Sequence, residues 1–443
     1  MGKETGKPWT LGLLIGLAGG LAVPAAQGAD LLELYRTAEE VSPTLEETQG
    51  QRRIADYQED EAEAGFFPSL TGQASRSWTE ETQVVSGIQA DSDTTTFTQD
   101  QYSFTLTQPL FMGGRTWLAV DIAEQAQRQA EVQVSAARQE LMVQVAEAYF
   151  GVLDAQEEKD LAEREMRRVR EHLDRAQAQF DVGTGDITGV REAEARRDQS
   201  RTGLIRARNN LQTAKERLRR LIRQQPPTLD KVEEVTLADP ELPDPEDWVD
   251  RALEEHPELA RLREQLDIDR SNVELAKRER WPEISAQAQY SKVEGGSFFT
   301  SDEATSASLQ VNWPIFQGGR VSATANIRQE EASQTRLQLD DQQEQVREQT
   351  TQAFYDLEST MQEVRSLRAQ VRSAETQLEA VQTGFEVGRR TSIDVLDAQQ
   401  EYFDALRDLA QARNQYLLSR LRLKSAAGTL TMADLEEANR QLD

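Results

Sequence analysis

The chain contains two copies of one sequence pattern, and this internal repeat constrains its fold more than any other feature. The segment that begins at Ser42 is matched by the segment that begins at His256, an offset of 214 residues. Further along, QPLFMGGR ending at Arg115 is matched by WPIFQGGR ending at Arg320, an offset of 205 residues. The two copies predict one architectural unit built twice, with a loop of variable length where the offset changes.

Each copy holds a long segment with a heptad of apolar residues. The apolar positions alternate in steps of four and three, which is typical of helices that pack side by side at a shallow left-handed angle. The heptad residues are Ala162, Met166, Val169, Leu173, Ala176 and Phe180, and, 205 residues later, Leu367, Val371, Ala374, Leu378, Val381 and Phe385. We therefore predict long helices over 113–179 and 319–384, followed by return helices over 187–223 and 392–427.

Two segments before each long helix alternate apolar and polar residues. They predict strands at about 69–79 and 98–111 in the first copy and at about 283–292 and 304–316 in the second. A tilted strand of about 10–13 residues is long enough to cross a bilayer. The alternative interpretation is a soluble hairpin packed on its own helices, although few other elements are available to cover an apolar strand face.

A proline followed by a glycine pair ends the second strand of each copy. Proline removes a hydrogen bond from the strand ladder, and glycine allows the positive φ of a sharp turn. The motif therefore predicts the exit from the strand into the long helix. Its residues are Pro109, Gly113 and Gly114 in the first copy and Pro314, Gly318 and Gly319 in the second.

Composition divides the chain and limits its chemistry. A basic start, an apolar run and small residues predict a signal peptide, and a Pro-rich acidic stretch predicts a linker. The predicted divisions are a signal peptide (1–28), a first repeat (29–223), a linker (224–245), a second repeat (246–428) and a C-terminal segment (429–443). The net charge of −28 disfavours nucleic acid as a partner, because nucleic acid is a polyanion.

Enzymatic and metal-binding functions find little support in the sequence. The chain has no cysteine, which excludes disulfides and Cys–metal sites. Its two histidines, His172 and His256, fall in opposite repeats. Acidic pairs remain as groups capable of acid–base chemistry. We therefore expect a protein that is not an enzyme and has no cofactor, metal or catalytic residues.

Four amphipathic strands are too few to close a barrel, for which about eight are the practical minimum. Because open strand edges cannot face lipid, strands that cross a membrane require several copies of the chain. Two, three or four copies would supply roughly 8, 12 or 16 strands. The strand pattern alone does not choose among them.

The order of these motifs resembles the TolC family of outer-membrane efflux and type I secretion channels. The resemblance covers 31–443 and is carried by QPLFMGGR, WPIFQGGR, FDVGTGDIT, FEVGRRTSIDVLDAQQEYFDA and LKSAAGTL. It implies an α+β membrane protein: a homotrimer with a 12-stranded β-barrel in outer-membrane lipid, continuous with a periplasmic α-helical barrel. The linker and the C-terminal segment would form its equatorial region.

The resemblance also implies partners and a function. A periplasmic adaptor protein and an inner-membrane pump of RND, ABC or MFS type would deliver cargo, and the channel would export it passively. The alternative is a soluble periplasmic coiled-coil scaffold or adaptor, which would be a monomer extracted without detergent. The nature of the cargo is not encoded in these motifs, because the pump selects the cargo.

Two carboxylates after the second helix turn are predicted to form a channel constriction. Asp394 and Asp397 are three residues apart and therefore project from one face of a helix. Around a three-fold axis, carboxylates from every copy would crowd together, which raises their pKa values or recruits cations. The alternative interpretation is a first helix turn whose acids complement the helix dipole.

The family resemblance adds a closed-state lock at the same end. It implies that Arg390, Phe385, Thr188 and Asp186 form this lock. Phe385 stands at a usual tyrosine position and lacks the phenolic hydroxyl. Gly189 stands where some members have an aspartate. The bonding of the lock in this chain therefore departs from the family pattern.

The two helix turns are implied to be the adaptor contact. The residues of these turns are Gly183, Val182, Gly388 and Val387. The second copy carries Arg390 and the Asp394/Asp397 pair, whereas we expect Gly189 and Arg191 at the matching places of the first. The second copy is therefore predicted to carry most of the gate.

Overall fold

The computed structural model describes residues 30–84, 92–229, 244–295 and 301–440. The predicted signal peptide and most of the predicted linker lie outside these residues. The helices are α1 (Leu31–Val41), α2 (Pro43–Ala64), α3 (Arg115–Asp181), α4 (Ile187–Ile222), α5 (Pro245–Glu255), α6 (Pro257–Arg278), α7 (Arg320–Glu386), α8 (Ser392–Ala426) and α9 (Met432–Asn439). The strands are β1 (Ser69–Val84), β2 (Ser92–Met112), β3 (Glu283–Gly295) and β4 (Ser301–Asn312).

The four strands form one antiparallel sheet in the order β1-β2-β3-β4. In the first hairpin Ser69 lies opposite Thr107, and in the second Glu283 lies opposite Asn312. These two pairs are repeat equivalents, because the first strands differ by 214 residues and the second strands by 205. The repeat therefore fixes the same strand register twice, and β2 and β3 join the two hairpins.

The sheet has one apolar face and one polar face. One row of neighbours across all four strands is Leu70, Leu106, Ala288 and Ala307. The adjacent row is Thr71, Thr105, Gln289 and Ser306. Apolar side chains such as Phe104 and Leu309 are more than half exposed. The alternation seen in each strand thus becomes a continuous apolar surface without a cover among the described residues.

The strand bounds differ from the predicted ones. β1 continues to Val84, β2 begins at Ser92, β3 continues to Gly295 and β4 begins at Ser301. Most of these added residues are polar, and they pair because ladder hydrogen bonds join backbones, whatever the side chains. In the other direction, β4 ends at Asn312, although a strand was predicted to 316.

The early end of β4 has a physical reason. The equivalent residues of β2, from Pro109 to Met112, pair with β3 rather than with β1. The corresponding segment after Asn312 has no such neighbour among the described strands. It therefore lacks the ladder that would make it a strand.

The helices α3 and α7 are each 67 residues long and start 205 residues apart. At about 1.5 Å per residue each spans about 100 Å. They begin at Arg115 and Arg320, not at the predicted 113 and 319, because the preceding glycines have positive φ. They end two residues later than predicted, at Asp181 and Glu386, and α4 and α8 end one residue earlier than predicted. Each long helix packs along its return helix, α3 with α4 and α7 with α8.

The largest apolar core lies at mid-height. It joins α1, the middle of α3, α7, the second half of α8 and α9. Tyr149, Phe150 and Leu417 are among its fully buried side chains. The repeats are therefore fixed to each other at mid-height as well as in the sheet. In the described part of the chain, no helix combines the length and the hydropathy needed to cross a membrane.

Candidate functional site

The two helix turns at the end remote from the sheet have the same geometry. Gly183 (φ 77°) donates its N–H to the Phe180 carbonyl oxygen, and Gly388 (φ 73°) donates to that of Phe385, both at 3.0 Å. A Cβ built on either residue meets no described atom within 4 Å, so crowding does not exclude a side chain here. The positive φ is the reason that these positions require glycine.

The valines that precede these glycines are exposed. Val182 is 74% exposed and Val387 is 64% exposed. Each turn therefore presents an apolar side chain at the tip of a helix pair. This placement suits the predicted adaptor contact, which stays a prediction.

A size exchange keeps the two turns equivalent. In the first turn Gln179 is large and Gly185 is small, and a Cβ on Gly185 would lie 3.0 Å from Gln179 Cβ. In the second turn the order is reversed, because a Cβ on Gly384 would lie 2.8 Å from Arg390 Cγ. One long side chain therefore fills each turn. In the first turn it is Gln179, which precedes the turn, and in the second it is Arg390, which follows the turn.

The two return helices start with different caps. In α4, Asp186 Oδ1 accepts the N–H of Gly189 at 2.7 Å. In α8, Thr391 and Asp394 form a capping box, in which Asp394 Oδ2 accepts the Thr391 N–H at 2.8 Å and the Thr391 hydroxyl at 2.9 Å. The backbone bond and then the hydroxyl bond hold the pKa of Asp394 below its usual range.

The caps also correct the expected match between the copies. Because Asp186 and Thr391 occupy the same cap position, an offset of 205 pairs Gly189 with Asp394. The same offset pairs Glu192 with Asp397, so Arg191 is not the counterpart. The first copy therefore carries one of the two acids.

The predicted constriction residues both have partners within the chain. Asp394 is engaged in its own cap. Asp397 Oδ1 accepts Arg196 Nη2 of α4 at 2.6 Å, and Arg196 also donates to Gln400. Arg196 is largely buried, whereas Asp397 is 63% exposed. These contacts give each carboxylate a structural role in one chain, and the constriction stays a prediction.

The predicted lock residues do not meet within one chain. Asp186 is used by its own helix cap, and Thr188 is exposed. Arg390 forms no ion pair and no side-chain hydrogen bond within the residues that the structure describes. The Phe385 ring instead contacts the ring of His172 at a centroid distance of 5.7 Å.

His172 is a tip residue that the sequence reasoning did not place in the gate. It lies on α3, is 5% exposed, and its Nε2 is 2.7 Å from Ser392 Oγ at the start of α8. Burial, and secondarily Arg175, lower the pKa of His172 below its usual value. Its counterpart in the second copy, Gln377, is exposed, so the repeat gave no signal for this contact.

A small apolar cluster completes the joint between the two helix pairs. Val169 of α3, Ala193 of α4 and Leu396 of α8 are buried together, and Leu173 packs against them. We call the set Val169, His172, Ala193, Arg196, Ser392, Leu396 and Asp397 the tip joint. It holds the first repeat to the second at the end of the long helices.

The strand-exit motif shows the largest difference between the copies. A Cβ on Gly113 would lie 2.8 Å from Trp281 Cβ, and the Gly114 carbonyl oxygen accepts Arg278 Nη1 at 3.0 Å. At Gly318 and Gly319 no described atom lies within 4 Å of a built Cβ. Among the described residues, no group of three His, Asp or Glu side chains is arranged to hold a metal ion.

Two repeats share one sheet, and each extends a 67-residue helix of about 100 Å with a shorter return helix packed along it, a fold also found in solved outer membrane channels. The family model for outer membrane efflux proteins matches residues 34–222 and 248–429. The chain belongs to that family, is located in the outer membrane, and serves there as an exit duct for efflux and secretion.

Individual relatives agree with this assignment. The outer membrane protein TolC of Vibrio cholerae is 27% identical over 436 residues, which cover 97% of each chain. The alkaline protease secretion protein AprF of Pseudomonas aeruginosa is 30% identical over 307 residues, 67% of this chain and 63% of that one. The fold resembles that of the Campylobacter jejuni CmeC outer membrane channel, with a TM-score of 0.77, 15% identity and 98% coverage of both chains.

Proposed function

We propose that the protein works as a homotrimer in which strands of three chains close one β-barrel and their helices close one periplasmic tube. A pump and an adaptor would deliver cargo into this tube. The observation that carries the proposal is an incomplete repeat. The first copy contacts the second copy through surfaces of α3 and β2. The second copy has equivalent surfaces, but among the described residues of a single chain these have no partner.

The helices show this incomplete contact. The first long helix, α3, has α2 on one flank and α6 on the other. On the α6 flank, Gln129 Nε2 donates to Gln265 Oε1 at 3.0 Å, and Arg128 Nε to Glu264 Oε2 at 3.2 Å. The second long helix, α7, has α6 on one flank and exposes Ile327 and Leu337. In the trimer, α2 of a neighbouring chain would pack against α7 in the way that α6 packs against α3 within one chain.

The sheet edges allow the contact to be specified by residue. Between the repeats, Leu106 of β2 lies opposite Ala288 of β3. Applying the repeat offsets places Val311 of one copy opposite Ala74 of the next. The same operation places Phe67 of the next copy, the counterpart of Trp281, against Gly318. Phe67 is 67% exposed in the single chain.

The absence of cysteine makes this contact directly testable. We expect Val311→Cys combined with Ala74→Cys to give disulfide-linked dimers and trimers on denaturing gels after oxidation in outer membranes. Leu106→Cys with Ala288→Cys is the matched control, because it bridges the equivalent pair within one chain and should migrate as a monomer.

The outcomes of this experiment separate two failures. The proposed register would be wrong if a trimer forms but cysteines at 311 and 74 do not cross-link. It would also be wrong if the trimer cross-links better with Gly72→Cys than with Ala74→Cys as the partner of Val311→Cys. A protein that is extracted without detergent and remains a monomer would contradict the trimer itself and would favour the scaffold interpretation.

We further propose the partners that the relatives' names suggest. AprF is named as a protease secretion protein and CmeC as an outer membrane channel, which suits an adaptor and an inner-membrane pump as partners. The exposed valines 182 and 387 at the helix turns would contact the adaptor. Asp394 and Asp397, brought together from three copies, would narrow the tube and favour cations.

A further inference from the structure

The tip joint is the weakest connection between the two repeats. At mid-height many large apolar side chains are buried between the repeats, and in the sheet a continuous ladder joins them. At the tip, the buried apolar cluster within the described residues consists of Val169, Ala193 and Leu396. A region with few buried apolar contacts opens at the lowest free energy. Separation of the helix pairs should therefore begin here.

Within the described part of the joint, His172 forms a buried polar contact between the two repeats, and its ring can bind a proton. Its Nε2 lies 2.7 Å from Ser392 Oγ, and its ring lies against Phe385. One side chain of the first repeat thereby holds both helices of the second pair, α8 through Ser392 and α7 through Phe385. Because His172 belongs to one helix pair and Ser392 and Phe385 to the other, both contacts exist only while the joint is closed.

Protonation of His172 is unfavourable in the closed joint for reasons visible in the geometry. The ring is buried and lies against Phe385, and an imidazolium in such a place loses its hydration. Ser392 is the first residue of α8, where the helix dipole disfavours a positive charge. Arg175 of α3 adds repulsion.

The two carboxylates of α8 near the joint already have partners. On α4, Arg196 binds Asp397 of α8. On α8, Asp394 is held by the capping box, and Arg390 at the α7–α8 turn acts on that carboxylate. From α7 the contacting group is the uncharged Phe385. The Ser392 hydroxyl oxygen can still accept from a protonated His172, but no carboxylate among the described contacts pairs with the ring.

We propose that His172 is a proton-sensitive latch: its neutral ring holds the start of α8 and the end of α7 against α3, and acidification releases the joint and opens the tip. This inference rests on the proposed function as a duct, because it assigns the joint a role in opening that duct. It identifies the proton as the ligand that regulates the tip.

The direction of the pH effect follows from linkage. The closed joint lowers the pKa of His172, whereas an open joint exposes the ring to water with a pKa near 6.5. The closed form therefore binds fewer protons. Closure is fully favoured above about pH 6.5 and weakens as the pH falls below that value, by at most about tenfold in its equilibrium constant between pH 7.5 and 5.5.

The test is the open fraction of the purified trimer in a planar bilayer at pH 7.5 and 5.5. We expect the wild type to open on acidification. His172→Gln retains a hydrogen-bonding group of similar reach without the titration, and should lose most of the acid response. His172→Ala lacks the bridge and should be open at both pH values.

A second readout follows the joint rather than the current. In the cysteine-free chain, Val169→Cys with Leu396→Cys should form a disulfide across the closed joint and abolish the acid response until it is reduced. Asp154, whose pKa burial raises to about 6, titrates in the same range, and the His172→Gln comparison removes its contribution.

Two results would overturn the latch. One is an acid response of His172→Gln equal to that of the wild type. The other is a channel that still responds to acid with the Val169–Leu396 disulfide intact. A protein that forms no channel in any variant would instead contradict the duct itself, while acid-dependent cross-linking of the joint would still report on His172.

Discussion

The two ends of the molecule connect the same pair of repeats in different ways. At the sheet, β2 and β3 pair along their length, from Gln99 to Met112 on one side. At the helix tips, the repeats meet through three buried apolar side chains, a histidine–serine contact and an ion pair. On the proposed function, this comparison predicts that the sheet end stays closed and that the tip end separates.

The physical basis of this difference is cooperativity. Ladder hydrogen bonds in a sheet are lost together or not at all, and a membrane-facing edge has no water to replace them. The tip contacts are few, and the groups that they join can be hydrated once the joint opens. A long helix pair anchored at one end and at mid-height can therefore move at its tip without unfolding.

The largest expected effect tests the sheet end. Phe104→Arg places a charge on the apolar face, and we expect a loss of about 2–4 kcal/mol in folding stability within the membrane. Thr105→Arg is the matched control on the polar face, where the side chain would reach the lumen. Outer-membrane yield and heat resistance of the trimer measure the difference.

Equal tolerance of Arg at both positions would contradict the assignment of the apolar face to lipid. It would also remove the contrast between a fixed sheet end and a mobile tip, because the sheet would no longer depend on membrane burial. The tip joint itself should be unaffected in either variant.

A second prediction concerns the mid-height connection. Burial raises the pKa of Asp154 to about 6, although the amide of Asn414 donates to it at 2.6 Å. Since folding favours the protonated form, this carboxyl contributes stability below about pH 4, and the contribution is lost as pH rises to about 6.

Asp154→Asn should therefore stabilise the folded chain at pH 8 by on the order of 1–2 kcal/mol. Denaturant unfolding at pH 8 and pH 5 checks it, because the gain should shrink at the lower pH. A variant less stable than the wild type at pH 8 would show that the carboxylate has a favourable partner. The tip latch should titrate unchanged in this variant.

The sequence predicted the long-range plan well and the tip contacts poorly. The repeat offsets, 214 and 205, also describe the hairpin registers and the equal lengths of α3 and α7, because periodic patterns report backbone geometry. The end of β4 was wrong because a strand end depends on its partner. The contacts of His172 and Arg196 depend on which faces of α3, α4 and α8 meet, which a single pattern does not contain.

A third prediction tests the ion pair of the tip. Arg196→Ala removes the bonds to Asp397 and Gln400 and should weaken closure of the tip by about 1 kcal/mol, a small value because Asp397 is mostly exposed. The Val169–Leu396 cross-linking rate should fall, while thermal unfolding of the trimer stays the same. Arg197→Ala is the control, since Arg197 pairs with its neighbour Asp198 on the same helix. A matching drop in trimer heat resistance would show that the tip is not independent of the rest.

The smallest expected effects separate the cap from the constriction. Thr391→Ala should loosen the first turn of α8 by about 0.5 kcal/mol, because Asp394 keeps its 2.8 Å bond to the Thr391 backbone. Asp186→Ala, which removes the single cap bond of α4, should cost about 1 kcal/mol. Amide hydrogen exchange in the two first turns measures both.

Asp394→Asn then sharpens the comparison, since it removes the charge while an amide oxygen can still accept from the Thr391 backbone. If Asp394 is only a cap, the cation preference of the channel should stay as in the wild type while exchange in the first turn increases slightly. If it also forms the constriction, the cation preference should fall as well, with the same slight increase in exchange. Glu192→Gln, the neutralisation of the first copy's counterpart of Asp397, is the control. A loss of selectivity equal to that of Asp397→Gln would show that both copies line the gate.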